Sequence, residues 1–545
     1  METLGQDLET MRRVPLAPAH VEAICAIGGE VSYPAGSIVM DIGERMDRFI
    51  YVVEGDIEVV DPHTGDRLLK SSLGPTQFMG EIGFLNGGTN IMRMRAAVDT
   101  TVIEAPREAM LALMGRVPEL SDHLITVFTA RRRMQFESRN DTIKVIGADR
   151  DPQVQAVERF LSRNRIPFQS YDMDAADRET ASLCNLTDHQ PGVIVGADTR
   201  MEDPTPRKMA QYLGLDLDIC SQRTYDLLIV GGGPAGVAAA VYAGSEGIGA
   251  LVVEDTAVGG QAGTSSRIEN YMGFPTGISG TDLTFRGQVQ AMKFGTRFVM
   301  PRRVEALARR EDGVFCATLN ANDFGGDEIC ARALLVATGV QYRRLPLDRL
   351  EELEGAGIFY SATEMEARFC ANTEAVVIGG GNSAGQAAMF LSRAAAHVHL
   401  VVRGASLAAS MSSYLSQRLE ADPRVTIHYH SEVTALHGDN WLKAITLRTG
   451  DSEQRIATRA LFIMIGAAPN TDWLSGLAAT DEKGFVVTGA AAGQADDYAT
   501  TAPGIFAVGD VRAGSVKRVA SAVGEGSVVV SRIWQYLEET GAESG

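Results

Sequence analysis

Two kinds of hydrophobic pattern divide this chain. Up to about residue 139 the apolar positions fall in short alternating runs: SYPAGSIVMDIG, RFIYVVEGDIEVVD, RLLKSSLG and RAAVDTTVIEA. They follow a short helical stretch, VEAICAIGGEV, and are broken by Gly36, Gly43, Gly55, Gly65 and Gly74. That alternation predicts half-buried strands of a small β-barrel or roll. A helical pattern over 107–133 ends in Arg131, Arg132 and Arg133, a solvated helix end. The next segment reads strand (TIKVIGA), helix (DPQVQAVERFLSRN), strand (FQSYDMD), strand (GVIVGAD) and helix (PRKMAQYLGL). Beyond it the strands are continuously apolar, as in YDLLIV, RALLVA, AVVI and GIFAV. Such runs suit parallel strands buried on both faces. The predicted fold is therefore multidomain, β and α/β: an N-terminal β-roll, an α/β middle, and two Rossmann-like domains. The expected boundaries are 1–139, 140–221, 222–341 with 461–545, and 342–460.

Length agrees, since 545 residues suggest three or four domains at about 150 residues each. Hydrophobic residues make up 45% and charged residues 22%, which excludes extensive disorder. The net charge of −19 argues against nucleic acid, which needs a basic face. The opening METLGQDLETMRR is acidic where a signal peptide is basic and then apolar. Residues 227–245 lack charge, yet five glycines and Pro234 fit a nucleotide-binding turn better than a membrane span. A cytoplasmic location without a membrane span is expected. Cys25, Cys184, Cys220, Cys316, Cys330 and Cys370 include no CxxC. The expectation is reduced thiols that pack as small hydrophobes, with no metal site. His397/His399 and His428/His430 each share a strand face, but no carboxylate pattern supports a metal there.

The chemistry-bearing motifs lie after residue 222. YDLLIVGGGPAGVAAAVYA runs strand, then Gly231-x-Gly233-Pro234-Ala235-Gly236, then helix. The glycines permit the tight turn, close approach to a pyrophosphate, and close helix packing. Glu254 ends the next strand, 23 positions past Gly231, and suits ribose hydroxyls. The pattern repeats as Gly379-x-Gly381-Asn382-Ser383-Ala384, with Arg403 at the matching place. An acid fits the unphosphorylated ribose of FAD, and a base fits the 2′-phosphate of NADP. Ala337, Thr338 and Gly339 follow the strand RALLVA; Gly259, Gly260 and Gln261 follow the first βαβ unit; Asn270 lies beyond; Gly509-Asp510 closes the strand GIFAV. A helix starting near Arg518 and Val519 favours negative charge at a flavin edge.

Together these motifs resemble the low-molecular-weight thioredoxin reductase family over the last ~320 residues. The resemblance implies an NAD(P)H-dependent FAD oxidoreductase, with NADPH, or NADH, as reductant and a homodimer as assembly. It carries FAD contacts to Gly231, Gly233, Gly236, Glu254, Gly260, Gln261, Asn270 and Asp510, and nicotinamide contacts to Gly381, Asn382, Ser383, Ala384 and Arg403. The family's CATC motif is absent: Ser361-Ala362-Thr363-Glu364 stands in its place. The only thiol nearby is Cys370, read as structural. Of the family's HRRxxxR, only Arg403 remains, with Ala408 at the last arginine position. Electrons are then expected to leave for an acceptor such as ferredoxin or flavodoxin, a quinone, oxygen, or a partner's disulfide. A redox- or nucleotide-sensing regulator is the alternative.

The first segment, through YPAGSIVMDIGERMDRFIYVVEGDIEVV and FMGEIGFL, resembles a cyclic-nucleotide-binding domain. That implies a pocket at Gly80 and Glu81. Ile91-Met92 replaces the family's arginine and its hydroxyl neighbour, which implies weak or no cyclic-nucleotide binding. The second segment resembles a thioredoxin or glutaredoxin fold, with Asp149-Arg150-Asp151-Pro152 in place of the redox CxxC. Pro191 falls where that family has a cis-proline.

Overall fold

The computed structural model describes residues 14–542 apart from 62–63, 69–70, 81, 91, 138–142, 150, 167, 175–189, 196–198, 218, 220–223, 266, 321–326, 363, 409 and 475. Glu81, Ile91, Cys184 and Cys220 fall outside the described residues.

The N-terminal segment is a β-roll of two antiparallel three-stranded sheets. One runs Gly29–Tyr33, Thr100–Pro106, Arg48–Glu54; the other runs Ile38–Met40, Arg93–Ala96, Ile57–Val60. Between them Phe49, Phe78 and Phe84 pack against Phe128 of a covering helix, ring to ring at 5.4 to 6.3 Å. The predicted helix over 107–133 is two helices, Arg107–Arg116 and Pro118–Glu137. Pro118 is the reason, since a proline tolerates only a helix start.

The second segment holds a four-stranded sheet in the order Thr199–Glu202, Gly192–Val195, Ile143–Gly147, Gln169–Asp172. Only the last pair is parallel. Helix Pro152–Arg163 begins at Asp151, whose carboxylate accepts from Gln153 N at 2.8 Å. The single cis peptide among described residues is Met300–Pro301. The bond before Pro191 is trans, which corrects the expectation from the thioredoxin resemblance.

The large sheet runs Arg297–Val299, Ala250–Val253, Thr224–Val230, Glu328–Val336, Phe315–Leu319, Val304–Arg309, with Ile505–Ala507 also paired to Glu328–Val336. Its nucleotide-binding strands are parallel and nearly all their side chains are buried, as their unbroken apolar runs require. A second parallel sheet runs Ile358–Phe359, Ala460–Ile463, Glu374–Ile378, His397–Val401, Val425–His428. Strand Ala460–Ile463 thus belongs to the second sheet, so the chain returns to the first a few residues later than position 461. The crossings form a two-stranded ribbon, Val340–Tyr342 against Ala467–Pro469.

The modules interlock. Asn86, on the short roll helix Ile82–Asn86, donates to Phe298 O and accepts from Phe298 N, both at 2.8 Å, so a side chain extends the edge of the large sheet. Arg302 pairs with Asp216 at 2.6 Å and with Asp327. No helix among the described residues is long and apolar enough to cross a membrane.

Candidate functional site

The first glycine turn joins Thr224–Val230 to helix Pro234–Ser245. Gly231 has φ +108°, and a Cβ there would stand 2.4 Å from Ala337 O. A Cβ on Gly236 would stand 1.9 Å from Gly231 O. These two glycines are therefore required by the fold itself. Gly233 differs: a Cβ there would meet only Gly260 Cα, at 4.0 Å. The space over Gly233 is open, a cradle of bare backbone at a helix N-terminus, and an anionic pyrophosphate fits it. Gly259 N donates to Gly232 O at 2.7 Å, which ties the Gly259-Gly260-Gln261 loop to the turn.

Glu254 accepts from Gly232 N at 2.7 Å and from Thr256 N at 3.1 Å. Burial, with Asp255 beside it, pushes its carboxyl above the usual carboxylate range. Gln261 donates to Val340 O at 2.6 Å, and Thr338 donates to Asn470 O at 2.8 Å, so both clamp the ribbon side of the site. Gly339 has φ +60° at the ribbon's start. Asn270 and Arg518 are exposed; Val519 begins the last helix, Val519–Ala542. Pro234 and Ala235 open the first helix, and a Cβ on Gly509 would stand 3.0 Å from Ala235 Cβ. Burial pushes the Asp510 carboxyl up, with Lys517 as the opposing cation.

The second turn repeats this plan. Gly379 has φ +143°, and a Cβ there would stand 2.3 Å from Met464 O. Gly381 faces open space, its Cβ position 3.9 Å from Ser410 O. Asn382 begins helix Asn382–Leu391, and its Oδ1 accepts from Ser412 N at 2.8 Å. Asn382 and Ser383 are exposed, while Ala384 is fully buried. Arg403 lies exposed in the turn after His397–Val401.

In the segment expected to replace the resembled family's dithiol, Ser361 is half-buried and Ala362 buried. Cys370 is fully buried in the turn Arg368–Cys370, and burial pushes its thiol up to about 12. Cys316 and Cys330 correct the reading of the cysteines as reduced. They face each other on antiparallel strands, Cα atoms 4.1 Å apart, and form a disulfide. Their 14-residue separation gave no local signal; only the hairpin register brings them together. The strand histidines have polar partners of their own. Glu374 Oε2 lies 3.1 Å from His399 Nε2, and His399 Nδ1 lies 2.9 Å from His428 Nε2. The carboxylate comes from a neighbouring strand, so no pattern along the chain revealed it.

In the β-roll, Gly80 has φ +133° and Arg131 donates to its carbonyl at 2.7 Å. Arg93 pairs with Asp41 at 2.8 Å and Arg95 with Glu58 at 2.6 Å, so both are engaged within the roll. Sequence reasoning missed Glu525. Its Oε2 accepts from Gly509 N at 2.6 Å and its Oε1 from Arg512 at 2.8 Å, so it buttresses the Gly509-Asp510 turn from the last helix. The signal was available: a carboxylate inside an otherwise apolar helix needs a partner.

Two sheets whose nucleotide-binding strands are parallel, each with a bare-backbone glycine turn and joined by a ribbon, define a two-nucleotide oxidoreductase. The pyridine nucleotide-disulphide oxidoreductase family matches residues 225–526, and the chain belongs to it. Within that family it is similar to thioredoxin reductases: 34% identical over 322 residues to that of Listeria innocua, covering 58% of this chain and 95% of the relative. The Bacillus subtilis thioredoxin reductase is 32% identical over 322 residues, covering 58% and 96%. Among solved structures, Lactococcus lactis thioredoxin reductase in its FR conformation is 28% identical with TM-score 0.53, covering 58% of this chain and 100% of that one. The T. acidophilum enzyme is 26% identical, also with TM-score 0.53, covering 58% and 99%. The cyclic nucleotide-binding domain family matches residues 30–116. The protein is thus an NAD(P)H-dependent FAD oxidoreductase of the thioredoxin-reductase-like class, fused to a β-roll of the cyclic nucleotide-binding domain family.

Proposed function

We propose that this protein draws hydride from NAD(P)H into an FAD site and passes electrons on without an internal dithiol of the thioredoxin-reductase type. The observation that carries the reading is the pairing of two open glycine cradles, at Gly233 and Gly381, with Ser361 and Glu364 where cysteines would be needed. FAD supplies the two-electron chemistry; the chain's part is positioning. Gly231, Gly233, Gly236 and Gly260 hold the FAD pyrophosphate, Glu254 the ribose, and Gln261, Asn270 and Asp510 the remaining polar groups. Gly381, Asn382, Ser383 and Ala384 hold the nicotinamide nucleotide. Arg403 is placed to meet a 2′-phosphate, and with Ala408 at the family's last arginine position either NADPH or NADH serves as reductant. The acceptor is a redox protein such as ferredoxin or flavodoxin, a quinone, oxygen, or a partner's disulfide; the working assembly is a cytoplasmic homodimer.

The α/β segment over 140–221 is read as a thioredoxin-like domain without its redox pair. Its sheet order, with one parallel and two antiparallel neighbours, supports that reading. A second reading, regulation through the β-roll, is favoured by Asn86, which joins the roll's short helix to the edge of the FAD-domain sheet. Anaerobic stopped-flow mixing with NADPH or NADH, followed by addition of each acceptor class, tests the proposal. Fast flavin bleaching and reoxidation by one acceptor support the oxidoreductase. Bleaching with negligible turnover on every acceptor favours the regulator.

A further inference from the structure

We infer that helix Pro152–Arg163 is a strap that sets the orientation of the two nucleotide domains for hydride transfer. The inference rests on the FAD and NAD(P) assignments above. The helix touches both domains with opposite ends. Near its start, Gln155 Nε2 donates to Gly355 O of the NAD(P) domain at 2.7 Å, and the approach is close: a Cβ on Gly355 would stand 2.0 Å from Gln155 Oε1. One turn on, the buried Glu158 accepts from Arg368 of the NAD(P) domain at 3.0 Å, and Asp149, just before the helix, lies 3.8 Å from the same guanidinium. At its end, Arg163 donates to Gly260 O at 2.9 Å, and Asn164 to Thr256 O at 3.3 Å, both in the FAD domain. Arg165 pairs with Asp282 of the FAD domain.

Those contacts matter because the covalent link between the domains is slight. The chain crosses only through the ribbon Val340–Tyr342 and Ala467–Pro469. Domains joined in this way move relative to each other unless another contact holds them. The orientation held is one that brings the two sites together. Arg418, on helix Ser413–Ala421, pairs at 2.8 Å with Glu269, next to Asn270 of the FAD site. That helix starts at Ser412, whose backbone N–H donates to Asn382 at the head of the nicotinamide helix. The strap's last turn also fixes the carbonyl of Gly260, opposite Gly233. One helix of the N-terminal extension therefore positions both halves of the reductase, and Arg163, Glu158 and Gln155 are positioning residues for the reaction.

The test uses full-length, FAD-loaded protein carrying Arg368→Gln, with Arg368→Lys as the charge-preserving control. Hydrogen–deuterium exchange should rise severalfold across 340–342, 467–469 and 413–421 in Arg368→Gln, and return toward wild type in Arg368→Lys. The anaerobic rate constant for flavin bleaching by NADPH should fall about tenfold in Arg368→Gln, as expected for lost alignment, with flavin content unchanged. Should Arg368→Gln not accumulate as folded protein, Gln155→Ala carries the same measurements. A yellow, folded variant with unchanged exchange and unchanged bleaching overturns the strap. A wild type that binds no FAD overturns the assignment beneath it instead, and the two failures are told apart by colour alone.

Discussion

Gly260 and Gly233 present bare backbone to one another: a Cβ on Gly260 would stand 3.1 Å from Gly233 Cα. Two segments 27 positions apart meet with no side chain between them. Arg163 holds the far side of the Gly260 peptide, and Gly259 N bonds the glycine turn. Apart from Gly260 Cα at 4.0 Å, no atom beyond its own neighbours meets a Cβ at Gly233, which leaves room there for the pyrophosphate that the proposed function assigns to it.

Gly233→Val should therefore give a folded but colourless protein. Its φ of −71° suits any residue, and the added side chain points into the open cradle rather than into protein. Flavin absorbance after reconstitution with FAD checks this, with circular dichroism to verify folding. Retention of stoichiometric FAD by the variant would move the pyrophosphate elsewhere.

The sequence disclosed this cradle because its constraints are local. Gly231, Gly233 and Gly236 lie within one turn, and the strand and helix around them follow from periodicity. The same holds for Gly379, Gly381 and Ala384. What stayed hidden depends on register or tertiary contact. Cys316 meets Cys330 only because two strands align residue for residue. Glu374 reaches His399 from the next strand, and Gln155 reaches Gly355 across 200 positions. The break at Pro118 was visible as a residue, but its effect depends on how two helices pack on the roll.

Glu525→Ala should destabilise the protein and weaken FAD binding together. It strands the buried Gly509 N–H and removes the partner of Arg512. An unsatisfied buried donor costs about 1–3 kcal/mol. Chemical denaturation with and without FAD measures both effects. Glu525→Gln retains an acceptor oxygen and should recover part of the loss. Equal FAD affinity in the alanine variant would make Glu525 a packing residue only.

Acid should destabilise the NAD(P) domain through its histidines. Burial holds the His399 and His428 imidazoles below the ordinary 6.5, and for His428 the neighbouring imidazoles add to this. The folded state then binds fewer protons than the unfolded state just below that pH. Stability is fully present above about pH 6.5 and falls as pH drops toward the folded-state values. Melting temperatures from pH 8 to 5 should show the decline, and His428→Gln should flatten it. A profile that is the same in wild type and variant assigns the acid sensitivity to other groups.

Cys370 should behave as core rather than as a one-cysteine relay. Its side chain is fully buried, its sulfur lies 3.7 Å from Glu366 O, and burial pushes the thiol up to about 12. The reactive thiolate is therefore scarce at neutral and mildly alkaline pH, because a raised pKa keeps the proton on sulfur until pH approaches that value. Iodoacetamide at pH 8, followed by peptide mass spectrometry, should label exposed Cys25 quickly and leave Cys370 unmodified. Cys370→Ser should leave NADPH-dependent flavin reduction unchanged, since hydride transfer needs only the nicotinamide held against the flavin. The variant should cost about 1 kcal/mol in stability, from a hydroxyl that replaces an apolar thiol in the core. If it instead abolishes turnover with a protein disulfide while flavin reduction survives, Cys370 carries electrons outward. The structural reading would then fail for that residue, and a single thiol that becomes exposed during turnover would be the relay.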